Sequence, residues 1–87
     1  MSHIVRLNEP VVISTFWRNR SGEAVRIQLK EYEGIALVDI RVFVTDHEGK
    51  LAPTQKGLSS SVRVLPDLVK GMMKALSRAR EIGLIEG

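Results

Sequence analysis

The sequence predicts an α+β fold in which an antiparallel sheet comes first and a single helix comes last. Two patterns support this prediction. Apolar and polar residues alternate in short stretches up to about residue 64, and apolar residues recur at helical spacing only from Leu65 onward. We expect the 87 residues to form one domain, 11–87, behind an N-terminal arm, 1–10. So short a chain buries only about 60–65% of its unfolded surface, which favours oligomerisation.

The first two strands are predicted on either side of a turn. Val11–Trp17 is β-branched and aromatic, which favours a strand, and residues 19–22 are turn-forming. Residues 24–32 then alternate strictly, which indicates a strand with one buried face and one basic outer face. The buried face carries Val25, Ile27 and Leu29, and the outer face carries Arg26, Gln28 and Lys30.

A tight turn at Glu33 and Gly34 leads into a long predicted strand, Ile35–Thr45. One face of this strand is wholly apolar. The other face is mixed, so we expect it to be covered or to bind something; it carries Leu37, Asp39, Arg41 and Phe43. Residues 50–64 indicate a kinked extended stretch, which Pro53 and Gly57 restrict to a sheet edge or a bulge.

The last predicted element is a helix over 66–82. Pro66 suits its first turn, Asp67 complements its positive end, and Gly83 suits its C-cap. Its apolar stripe is broader than one sheet layer covers, which predicts a two-fold dimer with an adaptable methionine seam. The expected interface comprises Leu68, Val69, Met72, Met73 and Leu76. The alternative is a monomer whose helix folds onto its own sheet.

The residues that an enzyme or a metal site needs are scarce. The chain has no cysteine, which excludes disulfides, thiolate zinc sites and cysteine nucleophiles. Its two histidines, His3 in the arm and His47 in a turn, make a poor metal set, and no phosphate-binding loop or calcium loop occurs. We therefore expect no catalytic site, no metal and no cofactor, and we interpret Asp39 and Arg41 as a structural ion pair. With no apolar run of roughly 18–20 residues and no secretory signal visible, the expected location is cytoplasmic.

The charge is unevenly distributed along the chain. Residues 1–30 hold five basic and two acidic side chains, residues 31–49 hold one and five, and residues 50–80 hold seven and one. A fold that joins the first and third segments has a basic face, which suits a polyanionic partner. Basic residues interleaved with rings are typical of single-stranded nucleic-acid binding. The candidate rings are Phe16, Trp17, Tyr32 and Phe43.

Three short motifs follow one another along the chain. Tyr32 begins a hairpin and a strand that contains Asp39-Ile40-Arg41, a turn ends in Glu48-Gly49, and a segment runs from Pro53 to Lys56-Gly57. This arrangement resembles the transcriptional coactivator family of positive cofactor 4. That family's domain carries an aromatic–x–Gly hairpin, a Leu–x–Asp–Ile–Arg strand, a Pro–x–x–Lys–Gly segment and a C-terminal helix. The match runs without a gap from about residue 24 to residue 59.

The resemblance implies a curved four-stranded antiparallel sheet with one C-terminal helix, in a homodimer whose helices pack together. It also implies binding of single-stranded DNA or unwound duplex in channels formed by two sheets. RNA is a further candidate ligand, and the transcription machinery is a candidate partner. By position, Tyr32 corresponds to a stacking aromatic, and Lys30, Arg41 and Lys56 correspond to basic residues that bind the backbone. The chain is similar to small stand-alone prokaryotic forms, for which the expected location is the nucleoid.

Five positions depart from the family pattern. Basic residues of the family are replaced at four of them, and a tryptophan is replaced at the fifth; the residues here are Glu33, Ile35, Ala52, Gln55 and Val44. These losses weaken binding because each phosphate contact adds to the salt-dependent affinity. Phe16, Trp17, Arg18 and Arg20 lie outside the match and are candidates to compensate.

The leading hypothesis is therefore a dimeric single-stranded DNA-binding module with little sequence readout. Its expected nucleic-acid-binding residues are Arg18, Arg20, Arg26, Lys30, Tyr32, Arg41, Lys50 and Lys56. The alternative is a dimeric protein-interaction domain of the same fold that has weak or lost nucleic-acid binding.

Overall fold

The computed structural model describes residues 7–86. Four strands come first, β1 Val11–Trp17, β2 Glu23–Tyr32, β3 Ile35–Thr45 and β4 Leu51–Ser61. A 3₁₀ turn, Val62–Val64, leads into the helix α1, Leu65–Glu81. The predicted α+β fold, a four-stranded antiparallel sheet followed by one helix, is confirmed. His3 and most of the predicted arm lie outside the described residues.

The strands are arranged in sequence order, β1-β2-β3-β4, and every neighbouring pair is antiparallel. In the central pair, Arg26 lies opposite Arg41, and Gln28 lies opposite Asp39. The residues between them, such as Ile27 opposite Ile40, point to the other side. The predicted alternation of β2 and β3 is confirmed. One side of the sheet, here called the polar face, carries the charged pairs, and the other side, the apolar face, carries the aliphatic pairs.

A two-residue turn joins β2 to β3. Both of its residues have positive φ, 50° at Glu33 and 79° at Gly34, and the pair Tyr32–Ile35 closes the hairpin. Two consecutive positive φ values are typical of the type I′ turn, whose twist matches that of the strands. The sequence identified Gly34 but not the left-handed conformation of Glu33.

The edge strand β4 is irregular in its middle. Arg41 pairs with Gly57 and Phe43 pairs with Pro53, so residues 54–56 of β4 lie opposite Val42 alone. At Gly57 the two strands come very close, because a Cβ there would lie 2.5 Å from Ile40 O and 2.9 Å from Arg41 Cα. Residues 50–64 were predicted to form a sheet edge or a bulge, and β4 within them is an edge strand that contains a bulge.

The buried core of the described part of the chain is very small, and its apolar members are Ala24, Val38 and Phe43. The Cα radius of gyration is 15.5 Å, whereas a compact chain of this length has about 12 Å. An open groove of about 630 Å³ separates the apolar face from α1, between Ile27, Val38 and Ile40 on the sheet and Leu68, Met72 and Leu76 on the helix. Within residues 7–86, α1 lacks the length and the hydropathy to cross a bilayer.

The helix begins one residue before the predicted start and ends one residue before the predicted end. Pro66 and Asp67 lie in its first turn as predicted. Gly83 follows with a φ of 80°, and the Leu84 N–H donates to Ala79 O at 2.8 Å. This backward hydrogen bond across a left-handed glycine terminates the helix.

Candidate nucleic-acid interface

The centre of the polar face is a buried carboxylate. Asp39 on β3 has no exposed surface, and Arg41 Nη2 and Nε donate to its Oδ1 at 2.9 Å and 3.1 Å. Gln28 Nε2 on β2 donates to its Oδ2 at 3.2 Å, and the Ser59 hydroxyl on β4 donates to its Oδ1. Lys30 Nζ lies 3.8 Å from Asp39 Oδ1. One side chain thus ties three strands together, and the predicted ion pair of Asp39 with Arg41 is confirmed.

The pKa of Asp39 shows which influence is stronger at this carboxylate. Burial alone raises its pKa, because the charged form loses hydration. Hydrogen bonds from Arg41, Ser59 and Gln28, with the attraction of Lys30, outweigh burial and bring the pKa below its ordinary value. The hydrogen bond to Asp39 raises the pKa of Arg41 in turn. Asp39 is therefore ionised at neutral pH and attracts the basic side chains around it.

Arg41 is held rather than free, with 19% of its side chain exposed. Besides its bonds to Asp39, its Nη1 donates to Thr54 O at 3.0 Å and its Nη2 donates to Ser59 Oγ at 3.2 Å. These contacts use four of the five N–H donors of a guanidinium. Because Thr54 begins the β4 bulge, Arg41 also anchors the segment that carries Lys56. Its binding to a phosphate stays a prediction.

The bulge itself is held by Thr54. Its hydroxyl donates to Val42 O at 2.7 Å and accepts from the Lys56 N–H at 3.1 Å. Lys56 is exposed on this edge strand. The structure therefore presents the predicted cation Lys56 from an anchored segment of backbone.

Two further predicted cations lie on β2. The Arg26 guanidinium stacks 4.5 Å from the centre of the Phe43 ring, and its Nε donates to Thr15 Oγ1 at 3.1 Å. Lys30 lies farther along the same face, partly exposed. Phe43 is only 6% exposed, so the prediction that Phe43 is a candidate stacking ring is wrong. Its ring lies beneath Arg26, where it holds a cation by cation–π attraction instead of meeting a base.

Three rings remain exposed. Tyr32, at the end of β2, is 63% exposed, and Trp17, at the end of β1, is 66% exposed. Phe16 is also exposed, but it pairs with Val25 and therefore lies on the apolar face. Of these three, Tyr32 and Trp17 belong to the side of the sheet that carries the cations.

The other predicted cations lie at the end of the sheet where two turns meet. Thr45 N–H donates to Gly22 O at 3.0 Å, which joins the β1–β2 turn to the β3–β4 turn. Arg18 Nη1 lies 3.8 Å from Glu23 Oε1, and Lys50 Nζ lies 3.9 Å from Glu48 Oε2. Arg20 is exposed in the first turn. The structure thus gathers Arg26, Lys30 and Arg41 at the centre of the face and Arg18, Arg20 and Lys50 at one end.

Sequence analysis missed the polar residues that organise this centre. Gln28, Thr54 and Ser59 contact Asp39 or Arg41, yet they come from three parts of the chain. The alternation in β2 placed Gln28 on the correct face. Nothing in the sequence aligned Ser59 with Asp39, because that pairing depends on the bulge in β4.

The helix presents the apolar surface that was predicted to be a dimer seam. Val69, Met72, Met73 and Leu76 are exposed, and Leu68 is half-buried. All five line the open groove opposite the apolar face. The monomer alternative requires α1 to fold onto its own sheet. In this arrangement the open groove lies between them.

Comparison with known proteins identifies this architecture. The family model described as Transcriptional Coactivator p15 (PC4) matches residues 19–71, more than half of the chain. A PC4 homologue from Burkholderia pseudomallei has a similar structure in its orthorhombic crystal form, with a TM-score of 0.70 and 25% identity over 82% of this chain and 95% of that one. For its tetragonal crystal form the TM-score is 0.68, with 27% identity over 77% of this chain and 97% of that one.

A bacteriophage T5 homologue of the eukaryotic coactivator PC4 shares the fold. Its TM-score is 0.60, with 23% identity over 77% of this chain and 80% of that one. That protein is described as implicated in recombination-dependent DNA replication. A search of curated proteins gives no match.

Proposed function

This chain belongs to the transcriptional coactivator p15 (PC4) family, a family associated with DNA binding and transcription coactivation, and from that we propose that it is a dimeric single-stranded DNA-binding protein. The polar face captures the phosphate backbone electrostatically and stacks bases on exposed rings, with little sequence readout. The proposal includes no catalytic step. We expect it to act in the cytoplasm, at the nucleoid in a prokaryote, with the transcription machinery as a second expected partner.

The single observation that carries the proposal is the arrangement of cations and rings on the polar face. Arg26, Lys30 and Arg41 lie together there, and Tyr32 stands exposed at the end of the same strand as the first two. Cations that follow a strand direction suit a phosphate backbone, and an exposed ring at the end suits an unpaired base. Lys56 extends the positive charge onto β4.

The dimer is proposed on physical grounds. Among residues 7–86, three apolar side chains are buried, a core too small to stabilise a domain of this length by itself. The groove leaves apolar surface of both sheet and helix exposed. A second copy placed about a two-fold axis buries both surfaces with one self-complementary patch. Two polar faces then become available to one nucleic-acid strand.

Fluorescence anisotropy of labelled oligo-dT, titrated with the protein at low and moderate salt, tests the proposal. We expect binding that weakens linearly on a logarithmic salt scale, with a slope of about −0.7 for each phosphate contacted. A duplex of the same length and an unlabelled oligo-dT competitor serve as controls. Absence of oligo-dT binding at low salt by a folded protein contradicts the proposal.

The alternative function is a protein-interaction domain, and a specific observation favours it. Non-basic residues occupy four of the basic positions of the family, at Glu33, Ile35, Ala52 and Gln55. The retained Arg41 uses most of its N–H donors in hydrogen bonds within the protein. This alternative expects a stable dimer without salt-dependent oligo-dT binding. The same titration therefore separates the two functions.

A further inference from the structure

The end of β1 carries an exposed ring that the family comparison does not include. Trp17 is 66% exposed and precedes the matched segment, which begins at residue 19. It is also the single tryptophan of the chain. Tryptophan is highly buried on average in folded proteins and is enriched at interfaces, so an indole this exposed is a candidate contact site.

A bulge in β1 determines which side of the sheet this ring occupies. Val12 pairs with Gln28 and Trp17 pairs with Ala24, although the two residues are an odd number of positions apart. The register shift between Val12 and Ser14 inserts one residue and restores both to the polar face. Without the bulge, strict alternation from Val12 would direct Trp17 to the apolar face and Phe16 to the polar face.

Trp17 therefore stands at one end of a row that runs along β2. After Ala24, the polar-face positions of β2 are Arg26, Gln28, Lys30 and Tyr32. The row begins with an exposed indole, continues with two cations and ends with an exposed phenol. Its length is about 27 Å, from the eight-residue separation of positions 24 and 32 at about 3.4 Å per residue.

A surface depression lies beside Trp17, at the β1–β2 turn. Trp17, Asn19, Arg20 and Gly22 line a shallow depression of about 430 Å³. Its backbone is well braced, since Asn19 Nδ2 donates to Glu23 Oε1 at 2.6 Å and the Ser21 N–H donates to Asn19 Oδ1 at 2.9 Å. A positively charged side chain and an exposed ring thus share one ordered depression.

We propose that Trp17 is a second base-stacking site, which holds an unpaired base while Arg20 contacts an adjoining phosphate. This inference rests on the proposed function and deepens it, because it extends the path of the bound nucleic acid from Tyr32 to the far end of β2. The chemistry that is recognised is a nucleobase joined to a phosphodiester backbone. Indole stacking on a base tolerates any sequence, which fits a protein with little sequence readout.

Intrinsic fluorescence reports on Trp17 alone, because no other tryptophan is present. We expect oligo-dT of about 16 nucleotides, at the upper end of typical single-stranded sites, to quench the indole emission along the same titration curve as anisotropy of the labelled strand. An abasic oligomer of equal length is the matched ligand control. It keeps the phosphates but offers no base, so we expect weaker binding and no quenching.

Two substitutions complete the test. Trp17→Ala is expected to weaken oligo-dT binding about 5- to 150-fold, as loss of one stacked base does. Trp17→Phe keeps a ring and is expected to retain most of the affinity. Phe16→Ala is the control variant, because this neighbouring exposed ring lies on the apolar face. It is expected to leave the affinity unchanged in a folded protein of unchanged mass.

The results distinguish this inference from the proposed function. Oligo-dT binding without indole quenching, together with unchanged affinity in Trp17→Ala, overturns the stacking site and leaves the proposed function standing. Absence of oligo-dT binding by anisotropy overturns both. Quenching by the abasic oligomer equal to that by oligo-dT also overturns the stacking site, since the indole then senses charge rather than a base.

Discussion

Asp39 and Arg41 form an ion pair at the centre of the polar face, with Arg41 Nη2 2.9 Å from a carboxylate that has no exposed surface. Ser59 joins this pair from β4, and Gln28 joins it from β2. The pair therefore has two roles, because it crosslinks the sheet and it fixes a cation where we expect nucleic acid to bind.

Acid should weaken the fold through Asp39. The folded-state pKa of Asp39 lies below its ordinary value, so its ionised form contributes stability above the unfolded pKa of about 3.9, and this contribution is lost as the pH falls through the folded pKa. We expect the free energy of unfolding to fall below about pH 4. Asp39→Asn should lower the free energy of unfolding at pH 7 by roughly 1.5–3 kcal/mol and reduce the acid dependence. Urea denaturation at a series of pH values measures both, and an equally steep acid dependence in Asp39→Asn contradicts the assignment.

Arg41→Ala should weaken oligo-dT binding and reduce the salt slope by about 0.7, which corresponds to one phosphate contact. The same change removes the nearest cation from the buried Asp39 carboxylate, so the melting temperature should also fall. A double variant, Asp39→Asn with Arg41→Gln, removes both charges and separates the two effects. If that folded double variant binds as tightly as the unmodified protein, Arg41 acts on the structure alone.

Tyr32→Ala should cost about 1–3 kcal/mol of oligo-dT binding, because the exposed ring at the hairpin is placed to stack on a base. Tyr32→Phe keeps the ring and should bind nearly normally. Anisotropy titration measures the affinities, and thermal unfolding monitors the fold. A lower melting temperature with unchanged affinity would mean that the ring only packs on the hairpin.

Met72→Asp should dissociate the proposed dimer or unfold the chain, because it places a charge in the apolar groove. Light scattering at micromolar concentration should give the mass of a dimer for the unmodified protein. Lys70→Asp, a charge change elsewhere on the exposed surface of α1, is the control and should keep that mass. A folded monomer of the unmodified protein at this concentration refutes the dimer.

Gly57→Ala should destabilise the sheet by roughly 1–3 kcal/mol, as overpacking does. The added Cβ would lie 2.5 Å from Ile40 O, a backbone atom that cannot move aside alone. Gly71→Ala is the matched control, since a Cβ there meets nothing within 4 Å and should stabilise α1 by about 1 kcal/mol. Chemical denaturation of both variants measures the difference. Equal stabilities would show that β4 can withdraw from β3 without cost.

Local patterns in the sequence determined the elements and the sides of the central strands. Alternation with a period of two placed Arg26 and Lys30 on one face of β2 and Asp39 and Arg41 on one face of β3, as the structure shows. Apolar residues at helical spacing located α1 within one residue at each end. These features depend on neighbours a few positions away, so they can be predicted without the fold.

Only the tertiary structure decided the details of the interface, because bulges and cross-strand packing depend on residues far apart in the chain. The bulge in β4 brings Ser59 to Asp39, and the bulge in β1 turns Trp17 toward the cations. Packing beneath Arg26 removes Phe43 from the set of exposed rings. One extra residue moves the residues beyond it to the other side of the strand, as in β1, and two extra residues shift the register without a change of side, as in β4.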